Sequence, residues 1–247
     1  MQKLISYPVS IVYYFLHGTI LIVFQLIQWI CFNMFGYEAH KKSVDIMCFF
    51  LVISTYLLFT RYKINNLKIL PTGVPLIFAA NHQSMYDTTS LAWFLRKTHP
   101  KFIGKIELSK GLFGISYSMT HGGSVLIDRK NPRQSLSAIQ GLAQYIEISK
   151  RSAIIFPEGT RSKTTSKPNQ FAENGLKILC KYAPSAYVVP ITINNSWKMT
   201  RWGSFPLGIG NKLIFTIHDP IPVKDVPFNE IFEKTEQSII RAILPVE

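Results

Sequence analysis

Two long apolar stretches open the chain, and shorter alternating elements follow them. Residues 9–35 contain no charged side chain, and neither do residues 46–60. About 20 helical residues cross a hydrocarbon core, so the first stretch is long enough to span it. As a helix, the second stretch would reach only about 22 Å at 1.5 Å per residue. We therefore predict a membrane-associated helical hairpin within residues 1–60.

Basic residues lie on both sides of the second stretch, at Lys41 and Lys42 before it and at Arg61 and Lys63 after it. The positive-inside rule therefore gives no clear preference for a hairpin that crosses the membrane. We predict two helices that enter one leaflet and return. A two-pass hairpin is the alternative, because the length limit is soft. Two core helices of a soluble domain fit less well, since the first stretch is so long.

From residue 61 onward, apolar runs of strand length alternate with helical patterns. This alternation is typical of an α/β domain with a mostly parallel sheet and helices on both faces. We predict such a domain for residues 61–247, preceded by the membrane-embedded two-helix element. The predicted strands cover residues 76–80, 102–104, 125–128, 153–156, 187–193 and 213–218, and the predicted helices cover residues 90–97, 135–150, 172–182 and 229–243.

The charge of the chain narrows the choice of partners. The net charge is +13, of which residues 1–60 carry only +1, with three basic and two acidic side chains. A basic domain behind an apolar N-terminus suits an anionic lipid surface or an anionic substrate. No nucleic acid is expected as a partner, because no helix-turn-helix, zinc-finger or base-stacking motif is visible. The three cysteines show no metal-ligand spacing, so no metal site is predicted.

A histidine follows the predicted strand 76–80 almost directly. His82 comes two residues after this strand, and Asp87 comes five residues later. Residues five apart on one helix do not share a face, so a contact between them requires a bend. Ser84 or Asp87 as a helix N-cap would supply that bend. A carboxylate that orients a histidine makes it a general base, whereas a histidine that only packs at the strand end is the alternative.

Polar and basic residues follow three more of the predicted strands. An arginine at a strand end suits bidentate binding of an anion, and a glycine with positive φ lets a turn close around a phosphate. For Lys105, the alternative is a solvated surface pair. For residues 158–161, the alternative is a plain surface loop. The candidates are Lys105, Arg129 and the four consecutive residues Glu158, Gly159, Thr160 and Arg161.

Taken in order, these blocks resemble a known family. The segments Asn81-His82-x-x-x-x-Asp87, Gly123-x-x-x-Ile127-Asp128-Arg129, Phe156-Pro-Glu-Gly-Thr-Arg-Ser162 and Val188-Val-Pro-Ile191 are similar to the four ordered blocks of the glycerolipid acyltransferases. Within that family the chain most resembles the 1-acylglycerol-3-phosphate acyltransferases. The resemblance covers about residues 76–194. The chain departs from the family at Ala172-Glu-Asn-Gly175, where relatives commonly carry a lysine shortly before the glycine and this chain has no basic residue.

The resemblance implies an enzyme that moves a fatty acyl group from acyl-CoA or acyl-carrier protein to the free hydroxyl of lysophosphatidic acid, giving phosphatidic acid. His82 would be the general base and Asp87 would orient it. No cofactor beyond the acyl carrier is expected. Lys105, Arg129 and Arg161 would hold the substrate phosphate, and the other residues of the turn 158–161 would shape the acceptor site. The residues implied for substrate binding are Lys105, Arg129, Glu158, Gly159, Thr160 and Arg161.

Other functions stay open. Within the family, the acceptor could be another lysolipid or glycerol-3-phosphate. Outside it, a membrane phosphoesterase and a non-enzymatic protein that binds anionic membrane lipid are alternatives. The compact chain is more similar to bacterial members of the family, so we expect a bacterial cytoplasmic membrane with the catalytic domain on its cytoplasmic face.

Overall fold

An eight-stranded sheet forms the centre of the protein in a computed structural model, which describes residues 2–162 and 168–245. The strands are β1 (Arg61–Asn65), β2 (Leu76–Ala80), β3 (Pro100–Lys105), β4 (Val125–Ile127), β5 (Ser152–Ile155), β6 (Tyr187–Asn194), β7 (Lys212–Ile217) and β8 (Ile221–Pro222). The helices are α1 (Gln2–Ser54), α2 (Tyr86–Phe94), α3 (Ile115–His121), α4 (Pro132–Ser149), α5 (Glu173–Tyr182) and α6 (Phe228–Arg241).

Five neighbouring strands of the sheet run parallel. The strand order is β1-β7-β6-β2-β5-β3-β4, in which β6, β2, β5, β3 and β4 share one direction. Strand β7 runs antiparallel to β6 and pairs with β1 on its other side, and β8 also pairs with β6. The predicted mostly parallel sheet is therefore confirmed. The ends of the five parallel strands meet at one edge, which we call the carboxyl edge.

Helices cover both faces of the sheet, as predicted. Side chains alternate between the two faces of a strand, so the central strand β2 contributes to two cores. Leu76 and Phe78 lie in the core that includes α2 and part of α1. Ile77 and Ala79 lie in the other core, under α4, α5 and α6. Because both faces of β2 are buried, its sequence is apolar throughout, without polar alternation.

The two predicted N-terminal helices form one helical element, α1, that reverses direction at Gly36. The backbone there has φ +79° and ψ −169°, a conformation for which glycine is suited because it has no Cβ. The arms, residues 2–35 and 37–54, run back along each other, so that His17 Nδ1 lies 3.4 Å from Ser54 Oγ. The reversal lies at the start of the connection between the two predicted stretches, and the rest of that connection is helical. We call residues 2–54 the N-terminal hairpin.

The N-terminal hairpin is apolar on its outside and packed against the domain on its inside. By length and composition, the helical segment Gln2–Leu58, which joins α1 to the short 3-10 helix Thr55–Leu58, could cross a membrane, and most of its large apolar side chains are exposed. Tyr13, in contrast, is fully buried in the core beside the sheet, and Ser10 Oγ accepts a hydrogen bond from Leu207 N–H at 2.9 Å. The re-entrant topology and the division of the chain at residue 60 stay predictions.

Three elements were not predicted from the sequence. Strand β1 lies at one margin of the sheet, where charged side chains at Arg61 and Lys63 interrupt the apolar pattern, and β8 is a two-residue strand that pairs with β6. Helix α3 contains serine, threonine and tyrosine, which are weak helix formers. It is held by tertiary contacts, among them a bond from Asn33 Nδ2 of the hairpin to Tyr117 Oη at 3.2 Å.

Candidate active site

His82 and Asp87 meet at the carboxyl edge, where β2 ends and α2 begins. His82 Nδ1 lies 3.0 Å from Asp87 Oδ2. Asp87 is fully buried, whereas the side chain of His82 is 18% exposed. The bend that the sequence requires between the two residues is therefore present, and the ring can be reached from solvent while its partner carboxylate cannot.

The bend is a capping box at the start of α2. Ser84 Oγ accepts a hydrogen bond from Tyr86 N–H at 3.1 Å, and Asp87 Oδ2 reaches back to accept bonds from Ser84 N–H at 2.8 Å and Gln83 N–H at 2.7 Å. These reciprocal bonds satisfy N–H groups that a helix end leaves free. The same carboxylate thus closes the turn and orients the histidine. A carboxylate is favourable at this helix end because the helix dipole is positive there.

The contact with Asp87 decides which nitrogen of His82 is basic. An ionised carboxylate can only accept, so Nδ1 carries the hydrogen, and the lone pair of the neutral ring lies on Nε2. Phe156, the residue after β5, stacks on the ring with 4.2 Å between centroids. The ring is therefore held at one edge and one face, and Nε2 is the atom that can accept a proton.

Asn81 fastens the end of β2 to the neighbouring strand β6. Its Oδ1 accepts a bond from Ile193 N–H at 2.6 Å, and its Nδ2 donates to Ile193 carbonyl oxygen at 2.9 Å. Gln83, one residue beyond the histidine, accepts a bond from Ser196 N–H at 3.2 Å. These bonds secure the backbone on both sides of His82. Sequence reasoning assigned no role to Asn81, although it stands in the same motif as the histidine.

Glu158 ties the histidine to the turn after β5. Its Oε1 accepts a bond from His82 N–H at 2.7 Å, and its Oε2 accepts bonds from Ser162 Oγ at 2.7 Å and Asn169 N–H at 2.6 Å. Burial raises the pKa of Glu158 above its ordinary value, and these hydrogen bonds oppose the rise. Both oxygens are thus occupied by donors of the protein itself. This gives Glu158 a positioning role, and a contact with substrate stays a prediction.

The turn after β5 is bonded back to the histidine and out to a basic strand end. Ser162 N–H donates to His82 carbonyl oxygen at 2.8 Å. Arg129, which follows β4, is exposed, and its guanidinium donates to Gly159 carbonyl oxygen. Thr160 and the Arg161 side chain are exposed beside this contact. The structure therefore brings Arg129 and the whole turn together with His82.

Lys105 lies at the end of β3, on the same edge of the sheet. Its backbone pairs in register with Ile127 at the end of β4, two residues before Arg129. The side chain of Lys105 is exposed, and so is that of Glu107 in the next turn. A direct contact of Lys105 with His82 or Asp87 is not observed among the bonds of these residues, so its proposed role in binding phosphate stays a prediction.

Among the described residues, the side chains around His82 are not arranged as a metal centre. Within residues 2–162 and 168–245, no group of three or more histidine, cysteine, aspartate or glutamate side chains is arranged to hold a metal ion. What the arrangement offers is a histidine with one basic nitrogen, a buried carboxylate behind it, and cationic side chains along the same edge. Such a site can remove a proton from an alcohol and bind an anionic group.

Known acyltransferases are similar to this chain in sequence and in fold. A family model described as Acyltransferase matches residues 61–194. A chloroplastic 1-acyl-sn-glycerol-3-phosphate acyltransferase of Arabidopsis thaliana is 33% identical over 188 residues, which are 72% of this chain and 49% of that protein. The 1-acyl-sn-glycerol-3-phosphate acyltransferase of Helicobacter pylori is 29% identical over 192 residues, which are 73% of this chain and 75% of that protein.

The fold is similar to the crystal structure of the 1-acyl-sn-glycerophosphate acyltransferase of Thermotoga maritima. The TM-score is 0.79 at 20% sequence identity, and the match covers 98% of this chain and 95% of that one. At this identity the likeness shows a shared fold. The chain spans about half the length of the plant relatives it matches, 49% for Arabidopsis thaliana and 46% for Brassica napus.

Proposed function

Because this chain belongs to the acyltransferase family, we propose that it transfers a fatty acyl group from a thioester to the free hydroxyl of lysophosphatidic acid, giving phosphatidic acid. The observation that carries the proposal is the contact between His82 and the buried Asp87, at the edge where Arg129 also lies. The names of the relatives support the choice of acceptor.

His82 acts as the general base in the proposed reaction. A thioester is already activated, whereas a hydroxyl group is a poor nucleophile at neutral pH. Nε2 of His82 takes the hydroxyl proton as the new C–O bond forms, which contributes about 10²–10⁴-fold to the rate. Asp87 stabilises the resulting imidazolium without taking its proton. When the C–S bond breaks, the imidazolium returns the proton to the leaving thiolate, so the ring is neutral again.

The basic strand ends hold the acceptor so that its hydroxyl faces His82. Arg129 and Arg161 bind the phosphate, and Lys105 adds a third positive charge at the same edge. Gly159 and Thr160 shape the acceptor site. Fixing the phosphate converts the attack of the hydroxyl into a step within one complex, which raises its rate through proximity. Glu158 maintains this geometry by holding the backbone of His82 against the turn.

Acyl-CoA or acyl-carrier protein is the proposed donor, and a membrane is the proposed location. The apolar hairpin and the bacterial relatives indicate association with a membrane. Within the proposal, that membrane is the bacterial cytoplasmic membrane, and the catalytic domain faces the cytoplasm. Lysophosphatidic acid and the acyl product then stay in the lipid phase.

The test is acyl transfer by purified protein in detergent or lipid vesicles. Lysophosphatidic acid is supplied with either acyl-CoA or acyl-carrier protein loaded with the same chain, and phosphatidic acid is measured by mass spectrometry. Glycerol-3-phosphate and a lysophosphatidylcholine are tested as other acceptors. Formation of phosphatidic acid with a clear preference for lysophosphatidic acid is expected. Binding of the lipid without any product would favour a non-enzymatic lipid-binding protein.

The His82→Ala variant tests the assigned base. It should lose product formation by about 10²-fold or more, because the proton acceptor is gone, while lipid binding persists. His218→Ala is the matched control, since His218 lies after β7 and its ring bonds at 2.7 Å to Thr192, which is not a residue of the proposed site. Near-normal turnover by His82→Ala would contradict the mechanism even if phosphatidic acid is formed by the wild type.

A further inference from the structure

The connection between β3 and α3 carries apolar side chains on its outside. We call residues 106–114 the β3–α3 loop. Phe113 is 61% exposed and Leu112 is 45% exposed, and the side chain of Lys110 beside them is exposed as well. Two adjacent large apolar side chains at the tip of a loop are costly in water unless another surface covers them.

The backbone of this loop is fastened to the N-terminal hairpin by two amide side chains. Gln25 Oε1 accepts a bond from Gly114 N–H at 2.8 Å, and Gln28 Nε2 donates to Gly114 carbonyl oxygen at 3.1 Å. Gln28 is fully buried, although it lies within the long N-terminal stretch that contains no charged side chain. The two glutamines therefore satisfy both backbone polar groups of Gly114, and they hold the end of the loop against the hairpin.

Gly114 lets the loop approach the hairpin closely. Its backbone has φ +67°, and a Cβ at this position would lie 3.0 Å from Leu21 carbonyl oxygen and 3.0 Å from Met47 Sδ. Leu21 belongs to the first arm of the hairpin and Met47 to the second arm. The end of the loop is thus seated between the two arms, so that Leu112 and Phe113 are fixed beside the apolar outer surface of the hairpin.

That outer surface is a stripe at helical spacing. Ile22, Leu26 and Trp29 are all more than half exposed, and the spacing i, i+4, i+7 places them on one face of the first arm. Gln25 lies on the flank of this stripe, at about 70° from its centre at 100° per residue. The loop bonded to Gln25 therefore continues the exposed apolar stripe sideways, toward the carboxyl edge of the sheet.

We propose that the β3–α3 loop is a second membrane contact, in which Phe113 and Leu112 enter the lipid and Lys110 lies among the headgroups. An apolar pair with a neighbouring lysine matches the chemistry of the membrane interface, because the long lysine side chain reaches the anionic headgroups while the apolar groups are buried. The loop connects directly to β3, so this contact holds the end of that strand, with Lys105, at the lipid surface.

The inference rests on the membrane association of the proposed function and not on acyl transfer. Its test uses nitroxide labels on single cysteines in vesicles of phosphatidylcholine and phosphatidylglycerol. Cys31 is first replaced by alanine, while Cys48 and Cys180 are buried. Labels are attached at Phe113→Cys and, as a second exposed position of the loop, at Leu112→Cys. Collisions with oxygen, which dissolves in lipid, are compared with collisions with a water-soluble nickel complex.

Two further labels give the reference values. Leu26→Cys reports the exposed stripe of the hairpin, and Ile148→Cys reports water, since Ile148 is 84% exposed on α4 at the opposite face of the sheet. The labels at residues 112 and 113 should match the Leu26 label, with high oxygen and low nickel collision rates. Loop labels that match the Ile148 label would overturn the proposal. Acylation of lysophosphatidic acid is measured on the same samples, so a protein with lipid-buried loop labels but no product would contradict only the proposed function.

Discussion

Replacing Asp87 by asparagine tests the assigned base while it keeps the shape of the turn. Asp87 Oδ2 accepts bonds from His82 Nδ1 at 3.0 Å, Gln83 N–H at 2.7 Å and Ser84 N–H at 2.8 Å. The carbonyl oxygen of an asparagine can accept the same bonds. Its NH₂ group would take the position of Oδ1, which is buried without a partner among the described residues. The variant therefore retains the turn and loses the negative charge behind the ring.

The size of the effect follows from the bond between the carboxylate and the charged ring. His82 becomes an imidazolium during proton transfer, and a hydrogen bond to a charged partner contributes about 1.5–3 kcal/mol. At about 1.4 kcal/mol for each tenfold change, kcat should fall about 10- to 150-fold. The free energy of unfolding should also fall, by about 1–3 kcal/mol, because a buried NH₂ group lacks an acceptor.

The assay is the initial rate of phosphatidic acid formation at saturating lysophosphatidic acid, with unfolding measured on the same preparation. Asp225→Asn is the matched control, since Asp225 is exposed and has φ +62°, which asparagine adopts readily. The control should keep the wild-type rate. A folded Asp87→Asn protein whose kcat lies within about threefold of wild type would refute the role of the carboxylate in stabilising the imidazolium.

Three further changes test other parts of the site and the fold. Glu158→Ala should lower the free energy of unfolding by about 1–3 kcal/mol and lower kcat, because it removes the acceptor of the His82 N–H and Asn169 N–H bonds. An unchanged kcat would show that the bond from His82 N–H to Glu158 does not position the histidine. Arg129→Ala should raise the KM for lysophosphatidic acid about tenfold or more, and it should leave the rate with a monoacylglycerol acceptor unchanged because that acceptor has no phosphate. Arg241→Ala, at an exposed arginine of α6, is the control. Equal losses with both acceptors would contradict phosphate binding by Arg129. Burial, with help from neighbouring cations, lowers the pKa of Lys101 to about 7, so the unfolded chain binds a proton there that the folded chain lacks above pH 7. The free energy of unfolding should therefore rise between about pH 7 and 9.5, by at most about 1.4 kcal/mol per pH unit, and Lys101→Met should flatten this slope in denaturant titrations.

The strands and the residues that follow them could be predicted because each signal is local. Strands β2 and β5 are apolar runs that end abruptly in polar residues, and this change marks both the strand and its carboxyl end. The parallel arrangement then brings His82 and the turn at residues 158–161 to one edge. Strand β1 carries no such signal, since it gains its place by pairing with β7 from far along the chain.

The partners of the site residues could not be predicted, because they depend on distances between segments remote in sequence. Glu158 is an example. Its sequence position suggests a group that faces substrate, but in the folded chain it accepts a bond from the backbone of His82, 76 residues away. Asn81 likewise pairs with Ile193 across 112 residues. A polar side chain at a strand end can bind substrate or satisfy buried backbone groups, and only the fold decides between these uses.

The sequence by itself determined the α/β class, the apolar N-terminal pair of helices and the position of the candidate chemical groups just after strands, because hydrophobic periodicity and strand-end residues are local properties. The tertiary structure decided where the hairpin reverses, how Asp87 reaches His82 through a capping box, and that Gln25 and Gln28 hold the β3–α3 loop at Gly114. These features depend on close packing and hydrogen bonds between segments that come together only when the chain folds.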